Sequence, residues 1–389
     1  VSNEALSRFD EATSVRAQVL TMLRDHGPLP RIELARRAHL SPTTITRAVA
    51  QLADEGVIVE GNSISPTKLG RPATEISIVR DAFVVVGVQV GVGFVQLGLI
   101  DLLGGTVASS SLSYDIATPA ADVMVDAAAA INELIAASEY DQSMVIGVGV
   151  AVPGPVDVAG RSILLPINLD WRDVPVADIL EPLTGLPVTV EHNVRSMALA
   201  ESRFGAAKDL GSVAFIYLRT GLGAGLVVEG QPFAGGVRGA IELGHLHVID
   251  NGIACVCGGN GCLETLVSEG ALQRQLAEAG LSSNGGGALT ALYAAADTND
   301  VARASIDAII TQLATAMSAI VNLLNPDVIL LGGALAEVPE AFFERLTEQT
   351  RQQVFPLIRP LVRIEPSSLG MYAGVLGGGT AALERYFYI

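Results

Sequence analysis

Three cysteines, all that this chain of 389 residues contains, fall at positions 255, 257 and 262 within the stretch ELGHLHVIDNGIACVCGGNGCLE. The crowding constrains the fold strongly, because three thiols brought to one point close a small loop that the surrounding domain must accommodate. With His245 ten positions before Cys255, the pattern Cys-x-Cys-x4-Cys offers three thiolates and an imidazole, a donor set suited to a closed tetrahedral zinc site. His247 is equally well placed by spacing. The Cys-x-Cys pair is tighter than the usual Cys-x2-4-Cys, which leaves three buried or redox-active thiols as the alternative. The glycines of Cys257-Gly-Gly-Asn-Gly-Cys262 favour metal, since ligands this close need a turn free of β-carbons. Glu242 and Glu264 bracket the cluster. Held rigidly beside a histidine, two such carboxylates are good acceptors for sugar hydroxyls; without the metal they are solvated surface groups, and either histidine is an ordinary hydrogen-bonded residue.

The length suits two or three domains, and half the residues are apolar, enough for several cores. The N-terminal residues carry no apolar stretch behind a basic start, and an odd number of clustered cysteines gives no disulfide framework, so a cytoplasmic protein is expected. Residues 82–100, AFVVVGVQVGVGFVQLGLI, come nearest to a membrane span, but Gln89, Gln96 and four glycines interrupt them, and two adjacent strands fit better. No membrane contact is expected.

The net charge of −17 would ordinarily argue against nucleic acid, since phosphate contacts need lysine and arginine. Its distribution points the other way. Residues 1–80 hold ten basic against nine acidic side chains, whereas residues 81–389 hold fourteen against thirty-two. In the first part, Val15, Val19, Met22 and Leu23 recur at helical spacing up to His26-Gly27-Pro28, and Arg31 to Ala38 gives a second short helix. Ser41-Pro42 then supplies an N-cap and a first-turn proline for a third. Ile45, Ala48, Val49 and Leu52 form its apolar stripe, leaving Thr43, Thr44, Arg47 and Gln51 for phosphates and base edges in a major groove. Residues 56–60 and 73–79 read as strands around a loop carrying Lys68 and Arg71. Helix-turn-helix followed by a basic wing is a DNA-binding arrangement, the wing suiting a narrow minor groove. A small helical domain for protein contacts is the alternative.

From Phe83 onward, valine-rich strands alternate with alanine-rich helices at 119–138, 194–207 and 301–324, the pattern of α/β layers. Glycines recur at 147–149, 153–155, 220–225, 332–333 and 377–379, where backbone approaches either a ligand or a neighbouring element.

Glu242-x-Gly-His245, Cys255-x-Cys257-Gly-x2-Gly-Cys262-x-Glu264 and the loop TGLGAG at 220–225 together resemble the ROK family of repressors, open reading frames and sugar kinases, over residues 82–389. The winged helix in front resembles the family's repressor branch. The resemblance implies an actin-like, hexokinase-type pair of α/β lobes, with residues 1–80 as DNA-binding domain, 81–191 plus 371–389 as first lobe and 192–370 as second. It also implies that His245 binds zinc through one ring nitrogen and a sugar hydroxyl through the other, that Glu242, Glu264 and Asn193 hold further hydroxyls, and that Pro153-Gly154 and Asn168 line the cleft. Two departures separate the chain from the family's kinases. Gln89-Val-Gly-Val-Gly93 stands where they carry Asp-x-Gly-Gly-Thr, and Asn193 stands where their catalytic aspartate would be. An amide hydrogen-bonds a hydroxyl but cannot deprotonate it.

The expected protein is therefore a sugar-responsive repressor binding operator DNA, with zinc as cofactor, and a homodimer or homotetramer because one helix reads only a few base pairs. An ATP-dependent sugar kinase with a fused DNA-binding head, and a regulator controlled by a sugar-transport protein, are the alternatives.

Overall fold

The computed structural model of the chain describes residues 15–64, 73–165, 169–235, 241–283 and 287–389. Lys68 and Arg71 of the expected wing, and Asn168, lie outside them. The first segment folds as a helical head. α1 (Val15–His26) stops at Gly27, whose φ of +75° favours glycine, and β1 (Leu29–Pro30) leads into α2 (Arg31–Ala38). α3 (Pro42–Asp54) starts where the Ser41 hydroxyl accepts a hydrogen bond from the Thr44 amide at 3.1 Å, with proline in the first turn. β2 (Ile58–Ile64) and β3 (Ala73–Ile78) pair antiparallel, and β1 adds to the other edge of β3 with Leu29 opposite Ile76. A two-residue strand has no period to read, so the sequence shows only a helix stop at that point. Leu20, Leu23, Leu34, Ile45, Val49, Leu52 and Ile76 close a common core, each buried aliphatic side chain contributing about 1.5–3 kcal/mol.

Residues 82–100 are a hairpin, as expected: β4 (Val84–Gly91) and β5 (Phe94–Asp101), followed by β6 (Thr106–Ser113). α4 (Ala120–Ala136), β7 (Val145–Val152), α5 (Val176–Thr184) and β8 (Val188–His192) complete a sheet of order β6-β5-β4-β7-β8 in which β7 and β8 run parallel to β4. Covered on both faces, β4 and β7 are valine-rich and buried almost throughout, with Gln89 the one polar side chain between them. α6 (Asn193–Phe204) follows β8 without a break and leads to the second sheet, where β9 (Ser212–Leu218), β10 (Leu222–Val228) and β11 (Gln231–Pro232) are antiparallel. α7 (Glu264–Val267), α8 (Glu269–Glu278), α9 (Ala288–Ala295) and α10 (Asp300–Leu324) come next, then β12 (Val328–Gly333), α11 (Glu340–Gln353) and β13 (Ile364–Pro366), giving the order β11-β10-β9-β12-β13. α10 is long and apolar enough to cross a membrane, yet Ile306, Ile309, Ile310, Leu313 and Met317 are buried in the second core and the helix packs on α11.

The final helix, α12 (Ala373–Tyr386), returns to the first sheet. Its approach decides what several glycines are for. A Cβ on Gly149 would sit 1.9 Å from the Gly378 carbonyl oxygen, and one on Gly87 would sit 2.1 Å from that of Val375. These positions therefore serve helix-against-sheet packing rather than a ligand. Beyond α12, the Arg16 guanidinium of the head donates to the Phe387 carbonyl at 2.7 Å, while the Tyr388 hydroxyl donates to the Leu102 carbonyl of the first lobe at 2.5 Å. Arg24 of α1 is 4 % exposed, lies 4.5 Å from the centre of the Tyr388 ring and donates to Glu384 of α12 at 2.6 Å. Arg203, in the last turn of α6, donates to the same Glu384 oxygen at 2.6 Å. Head, α6 and α12 thus share one carboxylate.

Candidate functional site

The β10 strand, the short turn Leu243–His245 and the cysteine loop build one corner of the second lobe. Ile241 bridges Ala224 of β10, which carries Glu242 and His245 to the mouth of the cleft. From there the chain doubles back: the Val248 amide donates to the Gly261 carbonyl at 2.9 Å and that of Leu263 to Leu246 at 2.9 Å. Gly261 makes this close return possible, since its φ is +66° and a Cβ there would lie 1.9 Å from the Ile249 carbonyl oxygen. The ligand atoms of His245, Cys255, Cys257 and Cys262 end within 4.8 Å of one another. The Cys257 and Cys262 sulfurs are 3.7 Å apart and the Cys255 sulfur is 3.5 Å from His245 Nδ1. A tetrahedral zinc with bonds of about 2.3 Å to sulfur separates its sulfur ligands by roughly 3.8 Å, so this donor set fits zinc. Burial, and then Cys257 and Cys255 beside it, pushes the Cys262 thiol up to about 12, while the Gly259 backbone, followed by Cys255, draws Cys257 below the usual thiol range. His247 takes no part. It is exposed, with Nδ1 2.8 Å from the Asn260 carbonyl and Nε2 3.2 Å from Asp250.

Because Nδ1 of His245 faces the thiols, Nε2 is left for the cavity of about 130 Å³ that the residue lines. Glu242, Glu264 and Asn193 line the same cavity, as do Pro153, Gly154 and Gln89. The sequence marks all of these from separate stretches of chain, and the fold brings them together. Glu264 is fixed by the Leu222 amide, which donates to its carboxylate at 3.0 Å. Asn193 opens α6, its side-chain oxygen accepting from the Val194 amide at 2.8 Å. Gln89 is 2 % exposed; its side-chain amide packs against α12, where a Cβ on Gly374 would lie 2.1 Å from Oε1, and that oxygen has no hydrogen-bond partner among the described residues. Gly221 and Gly223 of the TGLGAG loop also line the cavity; Gly223 and Gly225 in addition let α6 pack close, a Cβ on Gly225 falling 2.5 Å from the Val194 carbonyl. A second cavity, of about 310 Å³, adjoins the first at Tyr217 and Arg219, and Gln96, Glu269, Gly333 and Met371 are among its other walls.

Several residues of this cleft are not singled out by the sequence, among them His192, Phe94, Tyr217 and Arg219. His192 caps α6, its Nδ1 3.4 Å from the Arg195 amide, and burial, with Arg195 adding to it, pushes its pKa down to about 4. Its neighbour Glu191 is held in an ion pair by Arg195. Only Arg219 leaves a signal, as a charged residue directly before the glycine loop.

On the head, Thr43, Arg47 and Gln51 are exposed along α3. Gln51 donates to Glu55 at 3.0 Å. Thr44 is half-buried and its hydroxyl pairs with that of Ser41 at 2.8 Å, so it belongs to the cap as much as to the outer face. Thr46, outside the set expected from the sequence, is exposed on the same helix, but its hydroxyl donates to the Pro42 carbonyl at 2.8 Å.

Residues 85–385 match the ROK family, and residues 13–59 match the MarR family. The DNA-binding transcriptional repressor Mlc of Escherichia coli (strain K12) is 26% identical over 388 residues, covering 96% of this chain and 95% of that protein. A glucokinase of Halalkalibacterium halodurans is 30% identical over 307 residues, covering 76% of this chain and 93% of the kinase. Among solved structures, a ROK family transcriptional regulator, a homolog of the E. coli Mlc protein, superposes with a TM-score of 0.82 at 26% identity, covering 97% of each chain.

Proposed function

The chain belongs to the ROK family, and from that premise we propose that it is a sugar-responsive transcriptional repressor whose head binds operator DNA and whose cleft binds the sugar that controls it. One observation carries this reading: the same chain that presents a winged-helix head also gathers Glu242, Glu264, His245 and Asn193 around one cavity. Two carboxylates and an imidazole satisfy several hydroxyls at fixed angles, which is how a small polyol is oriented. His245, Cys255, Cys257 and Cys262 would hold a zinc ion, which in a closed four-ligand site supplies folding energy and fixed geometry rather than reactivity. We assign residues 1–80 to the DNA-binding head, 81–191 with 371–389 to the first lobe and 192–370 to the second.

We further infer that the chain is not a kinase. Phosphoryl transfer to a sugar needs a positioned carboxylate to take the hydroxyl proton and a loop to orient the nucleotide phosphates. At the positions where family kinases carry these, Asn193 and Gln89-Val-Gly-Val-Gly93 stand instead. Loss of a general base typically costs a factor of about 10²–10⁴. The second cavity beside the glycine loop favours the kinase alternative, and an assay of ADP release separates the two: silence supports the sensor, whereas turnover at about 1–100 s⁻¹ would establish the kinase.

DNA contact is assigned to Thr43, Thr44, Arg47 and Gln51, with Lys68 and Arg71 on the wing. Arg47→Ala is expected to cost about 1–3 kcal/mol of operator affinity and to relax base preference at one position, measured by titrating labelled duplexes. An unchanged affinity would move the reading helix elsewhere. Two copies acting on a two-fold site, in the cytoplasm, complete the proposal.

A further inference from the structure

The lobes touch at the back of the cleft, where α6 packs on α12 of the first sheet and on β9 and β10 of the second. They also touch on its solvent side. There the guanidinium of Arg219, an exposed residue directly after β9, lies 4.6 Å from the centre of the half-buried Phe94 ring of the opposite lobe. Both side chains line the cavity. Each is firmly mounted. Phe94 opens β5 opposite Gly91, and its ring lies over that glycine, where a Cβ would come within 2.1 Å of it. Tyr114 braces the same turn: its amide donates to the Gly93 carbonyl at 3.0 Å and its hydroxyl to the Gly91 carbonyl at 2.5 Å. The Tyr114 ring in turn stacks on buried Trp171, with centres 6.0 Å apart. Across the cleft, the Arg219 amide donates to the Gly221 carbonyl at 3.0 Å and its carbonyl accepts from the Glu269 amide at 3.0 Å. Among the described residues no carboxylate pairs with the Arg219 guanidinium, so the Phe94 ring is the partner that the fold gives it.

We propose that Phe94 and Arg219 form a clasp that holds the two lobes together on the solvent side of the cleft, and that this contact sets how long a bound ligand stays. The second part rests on the sugar-sensing reading of the cleft; the clasp itself does not. A cation is attracted to a ring face over a range of approach directions, so the contact re-forms at each closure without the alignment that a hydrogen bond demands. A guanidinium suits the task because it is planar and more weakly hydrated than an ammonium, and so stacks on the ring at little cost. The strength is suited too. A contact of this kind shifts an equilibrium by about two- to thirtyfold, enough to bias the lobes towards closure and too little to lock them. Because the two mounts belong to different lobes, loss of either side chain should be felt in the lobe that was not altered.

Hydrogen exchange on the ligand-free full chain tests the clasp. Phe94→Leu, which keeps an apolar side chain without a ring face, is expected to speed exchange of the amides in 212–223, across the cleft, by about threefold or more. Arg219→Gln should do the same in 91–114, and the double variant should do no more than either change alone. Phe94→Tyr and Arg219→Lys, which keep the ring and the charge, should stay within about twofold of the parent protein. Faster exchange confined to the lobe that carries the substitution, or effects that add in the double variant, would overturn the clasp. Its hold on a ligand is read by stopped flow from Trp171, the one tryptophan of the chain, with whichever of glucose, xylose and N-acetylglucosamine binds in calorimetry. Phe94→Leu should hasten dissociation by about threefold or more and leave association within about twofold. An unchanged dissociation rate would overturn that part of the proposal. Should none of the three sugars bind, the sugar reading fails, while the exchange result still decides the clasp.

Discussion

His192 stands one residue before Asn193 and ties the start of α6 to the cleft through a ring nitrogen that must stay unprotonated to accept the Arg195 amide. Burial pushes its pKa down to about 4 in the folded chain, against about 6.5 when unfolded, so protons favour the unfolded state. The stabilisation is complete above pH 6.5 and is lost as pH falls towards 4, amounting to at most about 3 kcal/mol. Urea midpoints of the protein and of His192→Asn, which keeps a capping oxygen, should therefore converge between pH 7.5 and 4.5; parallel curves would contradict the assignment. The cysteine loop gives a second prediction at single residues. Protein purified without added metal should carry about one zinc per chain and Cys262→Ser should lose it, whereas zinc-free protein with three ordinarily reactive thiols would contradict the site. Spacing alone marks three of the four donors and does not choose between His245 and His247. That choice depends on the reversal at Gly261, which turns one imidazole towards the sulfurs and sends the other to Asp250.

α6 is the element that joins the two ends of the molecule. Its first residue lines the cleft, and about 15 Å further along, at 1.5 Å per residue, Arg203 shares Glu384 with Arg24 of the head. Any shift of α6 on ligand binding therefore acts on the seam between head and lobe through one carboxylate. Glu384→Gln is expected to leave sugar affinity nearly unchanged and to cut the effect of sugar on DNA affinity by at least about fivefold, read by paired titrations. Full retention of that effect would show that the route lies elsewhere. The helices themselves are legible in the sequence, because Ser41-Pro42 and the alanine-rich periods carry their own boundaries. Glycine is not: the same residue type lines a cavity at 221 and makes a helix-sheet contact at 149, and only what lies across the gap tells them apart. Arg24, the key to the seam, reads from sequence as an ordinary basic residue near a helix end, since Glu384 lies 360 positions away.

The whole molecule divides its charge as it divides its work. The net negative charge lies beyond residue 80, and on the proposed reading the lobes would repel a duplex and leave contact to the head. Both lobes start with an antiparallel hairpin and continue in parallel strands, and the cleft is lined by residues from β4, β8, α6, β9, the Glu242–His245 turn and the start of α7. A ligand spanning such a cleft biases the relation of the two lobes, and through α6 and α12 that of the head. The direct measurement is affinity of the full chain for the genomic fragments it selects, titrated with and without a sugar shown by calorimetry to bind the cleft. A change of about 5- to 150-fold in dissociation constant is expected, the range of ordinary coupling between two sites. An affinity that stays the same when the cleft is saturated would contradict sugar control of the head.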